Sequence, residues 1–280
     1  MAKTLQTIKG RIRSIQATRK ITGAMELVAV SKLRRQRHLL EQNQEYANNL
    51  SLVVTDILMH SSEVENKYLT VTEDTNPLTF VFCSDLGLCG GYNINMANYL
   101  EKELEKTGEI ILIGSKLHAQ LLRDGYPIQE EPIHIDEVDY DMLADMMDRQ
   151  LVRYINHEIT SIRIIYTKFF NKMVYEPTKI RVIPIKNNAS DSAVDIIYEP
   201  SPEEILDDLI PMYVKSELYN AYLDSTTSEQ SSRRMAMESA NDNAEKMIED
   251  LTLEYNQARQ TAITQEITEI ISAADALKEE

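Results

Sequence analysis

The sequence is short of cysteine, tryptophan and long apolar runs. It has no tryptophan and two cysteines in 280 residues, and Cys83 and Cys89 are neither a C-x-x-C pair nor enough for a disulfide framework. No apolar run approaches the roughly 18 residues of a membrane-spanning helix, and we expect no secretory signal. The five histidines are scattered without an H-E-x-x-H motif, so no metal site is predicted. These absences favour a protein of a reducing cytosol.

Positive charge is scarce and unevenly distributed. The chain has 29 Lys and Arg against 45 Asp and Glu, a net charge of −16, which argues against nucleic acid as its main partner. Residues 1–40 are the exception, with ten basic residues and one acidic residue. Such a start is also typical of transit peptides and membrane-surface helices. The low serine content and the continuation past residue 40 argue against a transit peptide.

Glycine and proline are almost missing from the two ends of the chain. Residues 2–59 hold no proline, and residues 203–280 hold no glycine and only Pro211. Both segments carry apolar or small residues at steps of three and four, which predicts helices over 1–60 and 201–280. The stripes are Leu5, Ile8, Ile12 and Ile15 in the first segment and Ala240, Ala244, Met247, Leu251, Tyr255, Ala258 and Ala262 in the second. Because the first helix begins basic and residues 203–280 carry a net charge of −12, we predict an antiparallel coiled coil.

The middle of the chain, residues 77–199, has the pattern of a small α/β domain inserted between these helices. The order βαβα followed by ββ predicts a Rossmann-like, three-layer α/β domain with a mixed sheet. The predicted strands are Leu78–Cys83, Glu109–Ile113, Ser161–Lys168 and Met173–Ile185, and the predicted helices are Asn95–Lys106, Lys116–Asp124 and Asp141–His157. The segment Tyr126–Ile135 contains two prolines and is at best an edge strand.

A glycine-rich loop follows the first predicted strand, but it lacks the features of a cofactor site. Gly87, Gly90 and Gly91 do not form G-x-G-x-x-G, no Walker lysine follows, and no acidic residue is placed to hold a ribose. Asp85 near Cys89 suggests an activated thiol, yet no histidine is near in sequence. We therefore predict no cofactor and interpret the loop as structural, with Gly90 and Gly91 in backbone conformations that disfavour side chains.

Three motifs carry a resemblance to a known family. Residues 84–93 (SDLGLCGGYN) closely resemble the S-D-x-G-L-C-G-G-x-N signature of the gamma subunit of bacterial-type F-type ATP synthases. Residues 20–29 (KITGAMELVA) and 255–270 (YNQARQTAITQEITEI) resemble the N- and C-terminal motifs of that family. The three blocks follow one another in order across the whole chain, so their agreement is highly specific.

The resemblance implies a central rotor shaft without chemistry of its own. The coiled coil would stand in the ring of alpha and beta subunits, and the α/β domain would meet the epsilon subunit and the ring of c subunits. As a peripheral protein on the cytoplasmic face of the cell membrane, it would couple ion flow to ATP synthesis by rotation. The resemblance further implies a polar catch against the beta subunit, with Met25 opposite it, formed by Arg259, Gln260, Thr264 and Glu266, and a structural loop around Asp85, Gly87, Gly90 and Gly91.

Two departures from the family pattern and two alternative functions remain. Gly23 stands where the family often has lysine, and Lys215 stands where many members have glutamate, which weakens the contacts transferred to those two places. One alternative is a nucleotide-binding protein related to oxidoreductases, and the other is a coiled-coil adaptor that docks on a membrane through its basic helix. Partners distinguish them: alpha and beta subunits for the shaft, retained nucleotide for the enzyme, and lipid vesicles alone for the adaptor.

Overall fold

A computed structural model describes residues 5–60, 64, 66–69, 74–129, 131–171, 173–185 and 198–276. The chain divides into two compact units, one formed by residues 1–29 and 234–280 and the other by residues 30–233. Two long helices contribute to both units: α1, Leu5–His60, and α5, Pro202–Ala276. Among the described residues, no helix is both long and apolar enough to cross a membrane.

In the first unit, α1 and α5 pack side by side in antiparallel directions. Arg19 pairs with Glu245 at 3.1 Å, and Glu26, further along α1, accepts a hydrogen bond from Asn241, which precedes Glu245 on α5. Ile8 is 1% exposed, as the stripe at the start of the sequence predicts. The pairing direction of the predicted coiled coil is therefore confirmed within this unit.

The second unit contains a four-stranded mixed sheet in the order β2-β1-β3-β4. Strand β1 (Pro77–Phe82) pairs in parallel with β2 (Glu109–Ile113) and β3 (Ser161–Phe169), and β4 (Tyr175–Ile183) is antiparallel to β3. All six residues of β1 are buried, as expected for a central strand with both faces covered. The mixed sheet is confirmed. Residues 126–135 form only two isolated bridges, at Ile128 and Ile133, among the positions described there.

Helices cover both faces of this sheet and complete three layers. On one face lie α2 (Tyr92–Glu103) and α3 (His118–Arg123), which share a core with Val81, Leu112 and Ile165. On the other face, α4 (Tyr140–Ile155) packs together with the parts of α1 and α5 that belong to this unit. Asn43 of α1 donates to the carbonyl of Ser216 on α5 at 3.4 Å, and Ser51, further along α1, hydrogen bonds with Tyr213, which precedes Ser216 on α5. The two helices are therefore antiparallel here as well.

Candidate functional site

The last turns of α5 present an exposed surface whose apolar residues do not continue the helix–helix seam. Ala258 and Ala262 are half-buried and lie on the same face as buried Ala244. At about 100° per residue, the next isoleucines lie about a quarter turn or more around the helix from that face. They are exposed by 42–68% and comprise Ile263, Ile267, Ile270 and Ile271. A second apolar face therefore begins where the first one ends.

The polar residues of the predicted catch lie on this same exposed part of α5. Arg259 and Glu266 are exposed and seven residues apart, so they share one side of the helix. Gln260 and Thr264 lie on the side turned away from the seam, and the Thr264 hydroxyl donates to the Gln260 carbonyl at 2.9 Å. This bond leaves the hydroxyl oxygen free to accept from outside. Gln260 and Thr264 line a shallow groove with Gln257, Thr261, Gln265 and Thr268.

Met25 lies on the other helix of the same unit and at a different level. It is half-buried, and its neighbour Glu26 accepts a hydrogen bond from Asn241 at 2.7 Å. Asn241 precedes Arg259 by 18 residues on α5, which corresponds to about 27 Å along a helix. The structure thus separates Met25 from the polar residues of the catch into two contact surfaces.

Sequence reasoning missed a polar cluster inside the helix pair of this unit. Asn241 receives a hydrogen bond from the Thr22 hydroxyl and donates to Glu26, and a side chain at Gly23 would lie 3.8 Å from its amide nitrogen. The sequence signal that could have found Asn241 is the seven-residue spacing of seam positions on α5, which relates Asn241 to Ile248. The structure places Asn241 and Ile248 among the half-buried residues, whereas the predicted stripe member Met247 is 53% exposed.

In the second unit, Asp85 ties the glycine loop (residues 84–93) to two other segments. Its carboxylate accepts from the backbone N–H of Ser115 at 2.8 Å and of Ile135 at 2.7 Å, and from His134 at 3.1 Å. Partial burial raises the pKa of Asp85, but these hydrogen bonds outweigh that effect and hold the pKa below its ordinary value. A carboxylate whose ionised form is favoured, and which accepts from several donors, is suited to holding these segments together.

The glycines of this loop differ in what the backbone requires of them. Gly90 has φ of +55°, where a side chain is disfavoured, as predicted. Gly91 has φ of −81°, an ordinary helical value, so the prediction for Gly91 is wrong: it lies at the start of α2, where any residue fits. Gly87 has no positive φ, and the Cβ of any residue replacing it would lie 3.8 Å from the Lys116 side chain, an ordinary contact distance.

The two cysteines are packed into this region. Burial raises the pKa of the Cys83 thiol to about 12. The Cys89 sulfur lies 3.2 Å from the Asn93 amide nitrogen. The backbone carbonyl of Cys89 accepts a hydrogen bond from the Ser232 hydroxyl at 2.5 Å. No group of His, Cys, Asp and Glu in the described parts of the chain could hold a metal ion. The contacts fit a structural loop.

The segment of α5 from Asp224 to Arg233 is polar and entirely buried. Beyond Ile165, the last residue of β3 paired with β1, the helix takes the place of the neighbouring strand. The Thr167 N–H donates to Ser225 at 3.1 Å, the Ser228 hydroxyl donates to the Thr167 carbonyl at 3.1 Å, and the Phe169 N–H donates to Asp224 at 3.2 Å. The run of serines and threonines therefore satisfies the open end of a strand.

A cavity of about 370 Å³ lies beside this segment. Its wall includes Glu229 and Arg233, which form an ion pair at 2.7 Å with both side chains under 10% exposed. Lys32 and Arg35 of α1, together with Asp85 and Asp136, also line it. With acidic and basic groups in equal measure, the cavity has no net preference for an anion or a cation.

Lys215, the departure noted in the sequence, has a partner within its own unit. Its amino group lies 2.7 Å from a carboxylate oxygen of Asp148 on α4. The lysine thus binds α5 to α4. Because its side chain is only 21% exposed, it offers little to an outside partner.

Comparisons with known proteins agree over nearly the whole chain. Residues 4–277 match the family model described as ATP synthase. The chain is 38% identical over 279 residues to an ATP synthase gamma chain of Clostridium kluyveri, covering 98% of both, and 37% identical over 291 residues to one of Alkaliphilus metalliredigens, covering 99% and 100%. The fold is similar to a chain of the Euglena gracilis mitochondrial ATP synthase, with a TM-score of 0.70 at 16% identity over 98% of this chain and 94% of that one.

Proposed function

This chain belongs to the ATP synthase gamma chain family, and we propose that it acts as the rotor shaft that couples ion flow through the membrane sector to ATP synthesis on other subunits. The observation that carries the proposal is the change of face on α5 after Ala262. A helix that turns isoleucines away from α1, its neighbour in the first unit, is suited to a bearing formed by other chains.

The proposed partners follow from the assemblies in which similar folds occur. The Euglena structure is described as containing the F1 part and the c-ring. We assign the end of α5 to the ring of alpha and beta subunits, and the α/β domain to the epsilon subunit and the c ring. The location is the cytoplasmic face of the cell membrane, held there by these subunits. The proposed shaft has three parts: residues 1–60 and 201–280 form the two helices of the coiled coil, and residues 77–199 form the α/β domain.

The shaft acts by making contacts that change with angle. An element shifts the states of its neighbours only through a difference in its interaction with them. The pair α1–α5 is asymmetric, so each catalytic site would meet a different side of it. Arg259 and Gln260 would therefore contact the beta subunit at some angles only. The groups they would meet there are carboxylates or carbonyls, because a guanidinium with five donors suits such acceptors.

The test is assembly with alpha and beta subunits after replacement of the isoleucines. Ile263→Ser together with Ile267→Ser should lower the yield of the complex, while α1–α5 pairing stays intact because neither residue lies in the seam. Leu122→Ser, at a residue of α3 with a similar exposed fraction of 45%, is the matched control. Normal assembly of the double variant, or equal loss in the control, would contradict the proposal.

A further inference from the structure

The helix pair of the first unit has a regular seam. On α5 its buried or half-buried residues include, at steps of four and three, Met237, Asn241, Ala244, Ile248, Leu251, Tyr255 and Ala258. On α1 they include Ile8, Ile12, Ile15, Thr22, Glu26 and Ala29. Apolar packing is non-directional, so polar contacts in the seam distinguish one register from another more sharply.

Polar groups interrupt this seam at the level of Asn241. The Asn241 amide uses both of its ends: its oxygen accepts from the Thr22 hydroxyl, and its nitrogen donates to Glu26 at 2.7 Å. Thr22 and Glu26 are four residues apart and therefore stand one turn apart on the same face of α1. One turn further along, Arg19 and Glu245 pair at 3.1 Å.

This arrangement is sensitive to register. If α1 slid by one turn or rotated about its axis, both bonds of Asn241 would be lost together. The Thr22 hydroxyl could still donate to a carbonyl of its own helix, but the half-buried Asn241 amide and Glu26 carboxylate would lose each other as partners. A single polar residue in a coiled-coil seam is known to fix register at some cost in stability. The loss of a hydrogen bond between partly buried groups, one of them charged, should lower the population of the slipped arrangement by about tenfold or more.

We propose that Asn241, held between Thr22 and Glu26, is the positioning residue that fixes α1 against α5 and so sets how Met25 on one helix and Arg259 on the other meet the surrounding subunits. This inference rests on the proposed shaft function. It goes beyond it by assigning the transfer of twist between the two helices to one amide.

The experiment uses an exchange of roles within the pair. In the assembled complex in membrane vesicles, Asn241→Asp sets a carboxylate against Glu26, and the ratio of ATP synthesis to ATP hydrolysis should fall by about tenfold. Adding Glu26→Gln restores an amide and a carboxylate with donor and acceptor exchanged, and Thr22 can still donate. The ratio should then return to within about twofold of the unmodified chain.

A cross-linking readout reports register without any ATP chemistry. Arg19 and Glu245 meet through the ends of two long side chains, so Arg19→Cys together with Glu245→Cys should give a cross-link with a short bis-maleimide reagent in the native register. The added Asn241→Asp should lower its yield severalfold, and further addition of Glu26→Gln should restore it. If Asn241→Asp prevents assembly, Asn241→Ala replaces it, because alanine fits the seam and removes both bonds without adding charge.

The control is Glu238→Gln. Glu238 pairs with Arg234 on its own helix at 2.9 Å and not with α1 in the contacts described above. It should leave both readouts unchanged. Full cross-linking and an unchanged synthesis ratio in Asn241→Asp, or no recovery in the Asp/Gln exchange, would overturn the inference. Failure of the shaft function is a different result: the unmodified chain would then support no ATP synthesis in the complex, while the cross-link would still form.

Discussion

The buried carboxyl of Asp224 should make the stability of the folded chain fall as pH rises towards 8. Asp224 is 3% exposed, and its carboxylate accepts a hydrogen bond from the Phe169 N–H at 3.2 Å. Burial is the main cause that raises its pKa from 3.8 to about 7; the Phe169 N–H and Lys168 oppose this rise, and Glu217 adds to it. The protonated form is therefore the one that the folded state favours.

The sign and size follow from linkage. Between pH 3.8 and pH 7 the folded chain binds more protons at Asp224 than the unfolded chain, so the free energy of unfolding decreases as pH rises. The loss is about 1.4 kcal/mol per pH unit within this window and about 3 kcal/mol in all from pH 5 to pH 8, because the slope flattens near the folded-state pKa. By pH 8 both states are ionised and the penalty is constant.

Asp224→Asn removes the titration and keeps an oxygen for the Phe169 N–H. Urea unfolding of the full chain, followed by far-ultraviolet circular dichroism at pH 5, 6, 7 and 8, should show the variant gaining on the unmodified chain by about 3 kcal/mol across this range. Asp208→Asn, at an exposed residue of the same helix, is the control for the loss of one negative charge. A pH-independent difference for Asp224→Asn would refute the reasoning.

Three further outcomes test other parts of the structure. Arg259→Ala and Gln260→Ala should leave the complex assembled and change ATP synthesis or hydrolysis by about tenfold, measured in membranes with subunit stoichiometry as the check; unchanged rates in both and in the double variant would mean that bulk shape alone acts. Gly90→Val should destabilise the chain by about 1–2 kcal/mol in thermal unfolding because of its positive φ, whereas Gly91→Ala should be nearly neutral. Cys83 should resist iodoacetamide at pH 8 in the folded chain, because burial keeps it a thiol, and mass spectrometry would detect a contradicting adduct.

The long elements were predictable because their signals add up over many residues. The absence of glycine and proline over dozens of positions predicts helices that the structure bounds at Leu5–His60 and Pro202–Ala276. The strands are confirmed within a few residues, since β-branched runs between turn residues mark them. The family motifs added what periodicity alone does not carry, namely a function.

Single positions were less predictable because neighbours far along the chain decide them. Met247 is apolar and fits the stripe, yet it lies 53% exposed, because the seam advances from Ala244 to Ile248. Asn241 has no sequence sign of its partners, which are more than 200 residues away. The glycine at 91 fits its helical position as any residue would, and no local pattern distinguishes it from Gly90.

The hydrogen bonds between β3 and the buried segment of α5 have a mechanical consequence. Apolar contacts resist separation but allow sliding, because their energy depends on area and hardly on direction. The bonds from Thr167 to Ser225 and from Phe169 to Asp224 are directional, and they bend or break if the helix turns about its axis. They therefore resist rotation of α5 about its own axis relative to β3. Elastic deformation under load should be small where α5 crosses the end of this strand, and a torque applied to the sheet should be transmitted to the helix almost without loss.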